Sequence, residues 1–186
     1  MAEHSMCPWW MGYLLASPLR KLLQDPALIL APYVRAGMTV LEPGPGMGFF
    51  TLEAARMVGP TGHVVAVDAQ PKMIDGLRRR AQRAGLLDRI DARVCPTNSM
   101  ALNDLDSSVD FTFAFAVVHE TPSAEGFFAE TARAMKKGAG LLLAEPDGHV
   151  GEAEFAGELS AAAANGLKVV DRPSIKRCVA AFLEKE

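Results

Sequence analysis

From Thr39 onward, short apolar runs alternate with stretches whose apolar residues recur every three or four positions. No other feature of the chain constrains its fold as much. This is the pattern of strands joined by crossover helices, and it predicts a parallel sheet with helices on both faces. The strands read as TVLEP from Thr39, HVVAVD ending at Asp68, IDARVC, VDFTFAFAVV, GLLLAEP, LKVVD and SIKRCVAAFLEK. The fourth is apolar almost throughout, as suits a strand buried on both faces. One helix is expected over roughly Phe49 to Val58. A second starts at Pro71, keeps Met73, Ile74, Leu77, Ala81 and Ala84 in helical register, and stops at Gly85. A third runs from Ser123 as N-cap to Gly138 as stop, and a fourth covers Glu152 to Asn165. Too few residues separate the last two strands for a parallel crossover, so they should pair antiparallel. The expected fold is α/β: a doubly wound, seven-stranded, mostly parallel sheet ending in an antiparallel C-terminal hairpin. A chain of 186 residues suffices for one such domain. Its α/β core should span 39–186, behind a small helical segment over 1–38.

The first strand runs into VLEPGPGMG, from Val40 to Gly48. In a doubly wound sheet, ligands bind beyond the carboxyl ends of the strands, so this loop lies where a ligand would. Gly44 and Gly46 fit the dinucleotide fingerprint GxGxxG, but its third glycine falls on Phe49. A phosphate site also needs backbone N–H groups, and Pro43 and Pro45 have none. Glu42 would repel a pyrophosphate and attract an ammonium. The loop suits a ligand with positive charge and no phosphate. Asp68 ends the second strand, 22 positions after Gly46, where an acid accepts hydrogen bonds from ribose hydroxyls or, on a second reading, caps the next helix.

Composition narrows the class. Formal net charge is −3, which argues against a nucleic-acid surface as the main partner. No apolar run approaches the roughly 20 residues of a membrane span, and the N-terminus lacks the pattern of a signal peptide. The three cysteines are far apart in sequence, which fits a reducing, cytoplasmic compartment. His4 and Cys7 alone make no metal site, and no metal is expected.

These residues resemble the class I S-adenosylmethionine-dependent methyltransferases, in particular the small-molecule branch with the quinone-biosynthesis and arsenite methyltransferase-like enzymes. VLEPGPGMG matches the E/DxGxGxG signature, VVAVDAQPKMI the ribose-holding stretch, and AMKKGAGLLLAEP the turn into the fifth strand. The likeness covers roughly Ala31 to Asp171. It implies a Rossmann-like methyltransferase fold, S-adenosylmethionine as cofactor and S-adenosylhomocysteine as product. Glu42, Gly44 and Gly46 would face the methionine part, Asp68 would hold the ribose, and Ala69 and Met73 would pack near the adenine. Where the family often has an acid after the third strand, this chain has PTNSMAL. Asn98, or Ser99 beside it, would then meet the adenine amino group.

Methyl transfer from a sulfonium needs alignment and a dry pocket, and a base only when the acceptor must lose a proton. The fourth strand ends in AVVHETP, which makes His119 the candidate for acceptor contact or base. Glu120 and Glu145, at the ends of the fourth and fifth strands, could orient an acceptor or cap the segments that follow. His149 is a further, weaker candidate. In the N-terminal segment, CPWWMGYLL gathers Trp9 and Trp10 with other apolar residues. They are expected to cover a small-molecule acceptor as a lid, or else to plug the core. Two other functions stay open: a cofactor-binding partner or sensor without turnover, and an RNA or protein methyltransferase. Neither the methyl acceptor nor the oligomeric state is legible.

Overall fold

The computed structural model describes Trp10, Arg20 and residues 23–186. Seven strands form one sheet in the order β3-β2-β1-β4-β5-β7-β6: β1 Thr39–Pro43, β2 His63–Asp68, β3 Ile90–Val94, β4 Val109–Phe115, β5 Met135–Pro146, β6 Leu167–Asp171 and β7 Cys178–Lys185. The helices among the described residues are α1 Pro26–Leu30, α2 Thr51–Met57, α3 Pro71–Ala84, α4 Ala124–Ala134 and α5 Glu152–Ala164. The chain divides into two compact units, one ending at Cys95 and one beginning at Pro96.

In the first unit β1 pairs parallel with β2, and β2 with β3. Val40, Leu41 and the run Val64 to Val67 are buried, so β1 and β2 are covered on both faces and only their ends reach solvent. Helix α3 packs Met73, Ile74, Leu77 and Ala81 inward, the face set by its period. Its stop is as expected: Gly85 caps it in the left-handed conformation with φ of 66°, which glycine adopts without steric cost.

In the second unit β4 pairs parallel with β5, while β5 and β6 each pair antiparallel with β7. The C-terminal pair is thus antiparallel as expected. Ser123 is the N-cap of α4 and accepts a hydrogen bond from the Gly126 N–H at 3.0 Å.

Three boundaries need correction. Helix α4 ends at Ala134, not at Gly138, and Met135 already belongs to β5. Met135 pairs with Val109, Lys136 bonds to Asp110, and the Arg133 and Ala134 carbonyls accept from Ser107 and Ser108. These long-range bonds override the helical period of the AMKK stretch. The register shifts between Val109 and Phe111, and Gly138, with φ of 75°, lies on β5 opposite that irregularity. The fourth strand is also shorter than its apolar run. It stops at Phe115, and Val118–Glu120 form a 3-10 turn. Ala116 has φ of 54°, a left-handed conformation that ends extended pairing. Likewise β7 begins at Cys178, with Ile175 making only an isolated bridge to it.

Candidate active site

The first unit contributes the glycine loop. Gly44, Gly46 and Gly48 have φ of 66°, 54° and 83°, all in the region that disfavours side chains. The Gly44 N–H donates to the Val67 carbonyl at 2.9 Å and the Gly48 N–H to the Pro45 carbonyl at 2.9 Å. A Cβ on Gly48 would stand 2.4 Å from Leu77 Cδ1, and one on Gly76 would stand 2.8 Å from Met47 Cγ. The loop therefore packs directly onto α3, and Arg80 of α3 donates to the Met47 carbonyl. Gly46 differs. A Cβ there would meet nothing within 4 Å, so its bare backbone faces open space.

Two acids flank this opening. Glu42, near the end of β1, is 3% exposed, and its Oε2 has no hydrogen-bond partner among the described residues. Burial pushes its pKa up to about 8, with help from the Asp68 charge. The Thr51 hydroxyl pulls the other way but stands outside hydrogen-bond geometry. The unpartnered, buried Oε2 calls for a donor, and an ammonium group would supply one with charge. Asp68 is braced to the loop: its Oδ2 accepts from the Gly46 N–H at 3.3 Å and its Oδ1 from the Gln70 N–H at 2.8 Å. The N-cap of α3 is Gln70, not Asp68. Beyond Asp68, Ala69 is half-buried and Met73 is buried.

The family model described as a methyltransferase domain matches residues 35–181. The chain belongs to that family. It is 30% identical over 109 residues to the arsenite methyltransferase of Halobacterium salinarum, which covers 59% of this chain and 27% of that protein. With the ubiquinone/menaquinone biosynthesis C-methyltransferase of an Enterobacter it shares 32% identity over 113 residues, 60% of this chain and 44% of that protein. The chain thus spans less than half the length of these two curated relatives. A SAM-dependent methyltransferase from Aquifex aeolicus has a similar structure, with a TM-score of 0.85 and 26% identity over 95% of this chain and 98% of that one. Its fold is that of this structural relative.

In the second unit of this methyltransferase domain, Glu145 organises the end of β4. The left-handed Ala116, held by its N–H to the Ala144 carbonyl at 2.9 Å, turns the chain out of the strand. The next two N–H groups then reach Glu145, whose Oε1 accepts from Val117 at 3.2 Å and from Val118 at 2.8 Å. Its Oε2 lies 2.5 Å from His119 Nδ1. Glu145 is fully buried, and two backbone N–H groups and the His119 ring converge on its oxygens. In the tautomer with the proton on His119 Nδ1, that nitrogen donates to Oε2 and Nε2 is left as an acceptor. The hydrogen bond to Glu145 raises the His119 pKa above 6.5, against the opposing effect of partial burial. The His149 ring stands edge-on to His119 at 6.0 Å, and Glu120 adds a weaker electrostatic pull.

Of the two candidates after β3, Asn98 is exposed. Ser99 is engaged locally: its hydroxyl donates to Glu130 at 3.2 Å and accepts from the Ala101 N–H at 3.0 Å. Trp9 lies outside the described residues, and Trp10 is 60% exposed. Among the described residues, no three His, Cys, Asp or Glu side chains could hold a metal ion. Nor is any described helix long and apolar enough to cross a membrane. Sequence reasoning missed the brace between Gly46 and Asp68, the Arg80 bond and the buried Glu158. For Glu158 a signal existed, since it shares the helical register of Phe155, Leu159 and Ala162.

Proposed function

We propose that this domain transfers a methyl group from S-adenosylmethionine to a small-molecule acceptor, with His119 receiving a proton from acceptors that must lose one. The cofactor, when bound, supplies a methyl group on a sulfonium centre, a displacement with a good leaving group. Glu42 accepts from its ammonium, the open backbone at Gly46 leaves room for its methionine portion, and Asp68 takes its ribose hydroxyls. Ala69 and Met73 pack near the adenine, and Asn98 or Ser99 meets its amino group. One observation carries the catalytic half: Glu145 fixes the His119 ring through Nδ1 and leaves Nε2 to take the proton. The carboxylate then stabilises the imidazolium that forms. Glu120 orients the acceptor, while Trp9 and Trp10 cover it. The exposed face of Trp10 supports that cover, because an apolar molecule laid on it would bury both surfaces.

The test is methyl transfer from labelled S-adenosylmethionine across quinols, thiols, phenols and arsenite, followed as a function of pH. Because a base must be neutral to work, the rate should rise with pH through the raised His119 pKa. His119→Gln should lower kcat by about 10²-fold or more and leave S-adenosylhomocysteine affinity unchanged. Glu145→Gln removes the hydrogen bond that raises the imidazole pKa, so the rising limb moves to lower pH and kcat falls. Binding of S-adenosylhomocysteine with no transfer to any acceptor would favour a binding protein without turnover.

A further inference from the structure

Helix α4 grips the connection between β3 and β4 at two points. Arg133 donates to Asn103 at 2.8 Å and pairs with Asp106 at 3.0 Å. Glu130, one turn earlier on the same face, holds the other half of the loop. Its Oε2 accepts from the Met100 N–H at 3.0 Å and from the Ser99 hydroxyl at 3.2 Å. The Ser99 oxygen accepts in turn from the Ala101 N–H at 3.0 Å. A hydroxyl has one proton and two lone pairs. Here the proton goes to Glu130 and one lone pair to Ala101. What the half-buried Ser99 has left to offer a ligand is a single acceptor position. Asn98 beside it is exposed, and its side chain has no hydrogen-bond partner among the described residues. That amide carries donors and an acceptor, and it can turn either end outward.

We propose that Glu130 is a positioning residue for base selection: by taking the Ser99 proton it leaves that hydroxyl able only to accept, so the loop selects a purine with an exocyclic amino group over one with a carbonyl in its place. The selection rests on the reading above, in which Asn98 or Ser99 meets the adenine amino group, and it assigns that contact to Ser99. An unpinned Asn98 meets an amine with its oxygen or a carbonyl with its nitrogen, and so prefers neither. A free serine would adapt in the same way, by rotating its O–H. Glu130 removes that freedom. To Ser99 so held, an amine is a partner, whereas a carbonyl sets acceptor against acceptor with no proton between them. Glu130 itself does not touch the base, so its loss should cost selectivity more than affinity.

The experiment needs no methyl acceptor. Calorimetry compares S-adenosylhomocysteine with S-inosylhomocysteine, in which a carbonyl replaces the amino group. Wild type should prefer the amino compound by about tenfold or more, the scale of one hydrogen bond lost. Glu130→Gln keeps an oxygen for the Met100 N–H and the Ser99 hydroxyl, and should keep the preference. Glu130→Met has no such acceptor and should bring the two affinities together. Ser99→Ala should do the same, while Asn98→Ala should keep the preference. Equal affinities in wild type overturn the proposal, and so does a preference that survives Ser99→Ala. Those two results stand whether or not Glu130→Met folds. Amide exchange in the free protein reads the clamp by itself: Met100 should be protected in wild type and in Glu130→Gln, and exchange fast in Glu130→Met. Fast exchange there with the base preference intact would make Glu130 a brace for the loop alone and overturn the proposal. If neither compound binds, the S-adenosylmethionine reading of the domain falls, and the selection by Glu130 falls with it.

Discussion

Glu42 is predicted to make the unliganded protein lose stability as pH rises, and Glu42→Gln should remove that loss. The sign follows from where the proton sits. In the unfolded chain this glutamate titrates near 4.5, whereas in the fold burial holds it up to about 8. Between those values the unfolded chain gives up a proton that the folded one keeps, so deprotonation favours unfolding. At about 1.4 kcal/mol per pH unit, the loss between pH 5 and pH 8 is on the order of 3 kcal/mol. Glu42 is buried almost completely, so solvent screening takes little from this. Urea unfolding of wild type and Glu42→Gln at a series of pH values gives the difference directly, and the shared contribution of Glu158, in the other unit, cancels. The two proteins should be close in stability at pH 5, with the variant ahead by roughly 3 kcal/mol at pH 8. S-adenosylhomocysteine carries an ammonium and should reverse the ranking. Its wild-type affinity should rise with pH as Glu42 ionises, and the variant should lack that rise. Parallel stability curves would mean that Glu42 is ionised in the free fold and already has a partner.

Other substitutions separate binding from packing in the same loop. Gly46→Ala meets no atom, so it should cost only the left-handed backbone, about 1–2 kcal/mol, yet lower S-adenosylhomocysteine affinity at least tenfold by calorimetry. Gly48→Ala drives a methyl into Leu77, and thermal unfolding should show the larger loss of stability of the two. Asp68→Ala should weaken cofactor binding by about 1–3 kcal/mol. It should also speed amide exchange at Gly46 and Gln70, whose N–H groups it accepts; exchange that stays slow would show that the loop holds itself.

Much of the sheet was legible because strand burial leaves its mark in composition. Val64 to Val67 and Leu141 to Ala144 are buried without a break, and a run of that kind can be read directly. The boundaries that went astray are those decided by partners distant in sequence. AMKK keeps a helical period, yet Met135 is drawn out by Val109 and Lys136 by Asp110. FAFAVV reads as a continuous strand, but a left-handed Ala116 ends it, and no local residue type announces that turn. The same break makes the candidate catalytic pair possible. Had β4 run straight through Val118, Val117 and Val118 would have spent their N–H groups on the ladder. Glu145, fully buried, would then have lost two of its three hydrogen-bond partners. The motif AVVHETP was enough to single out His119. What fixes its ring is an acid 26 residues away, and that acid keeps its two backbone donors because one alanine accepts a left-handed backbone conformation.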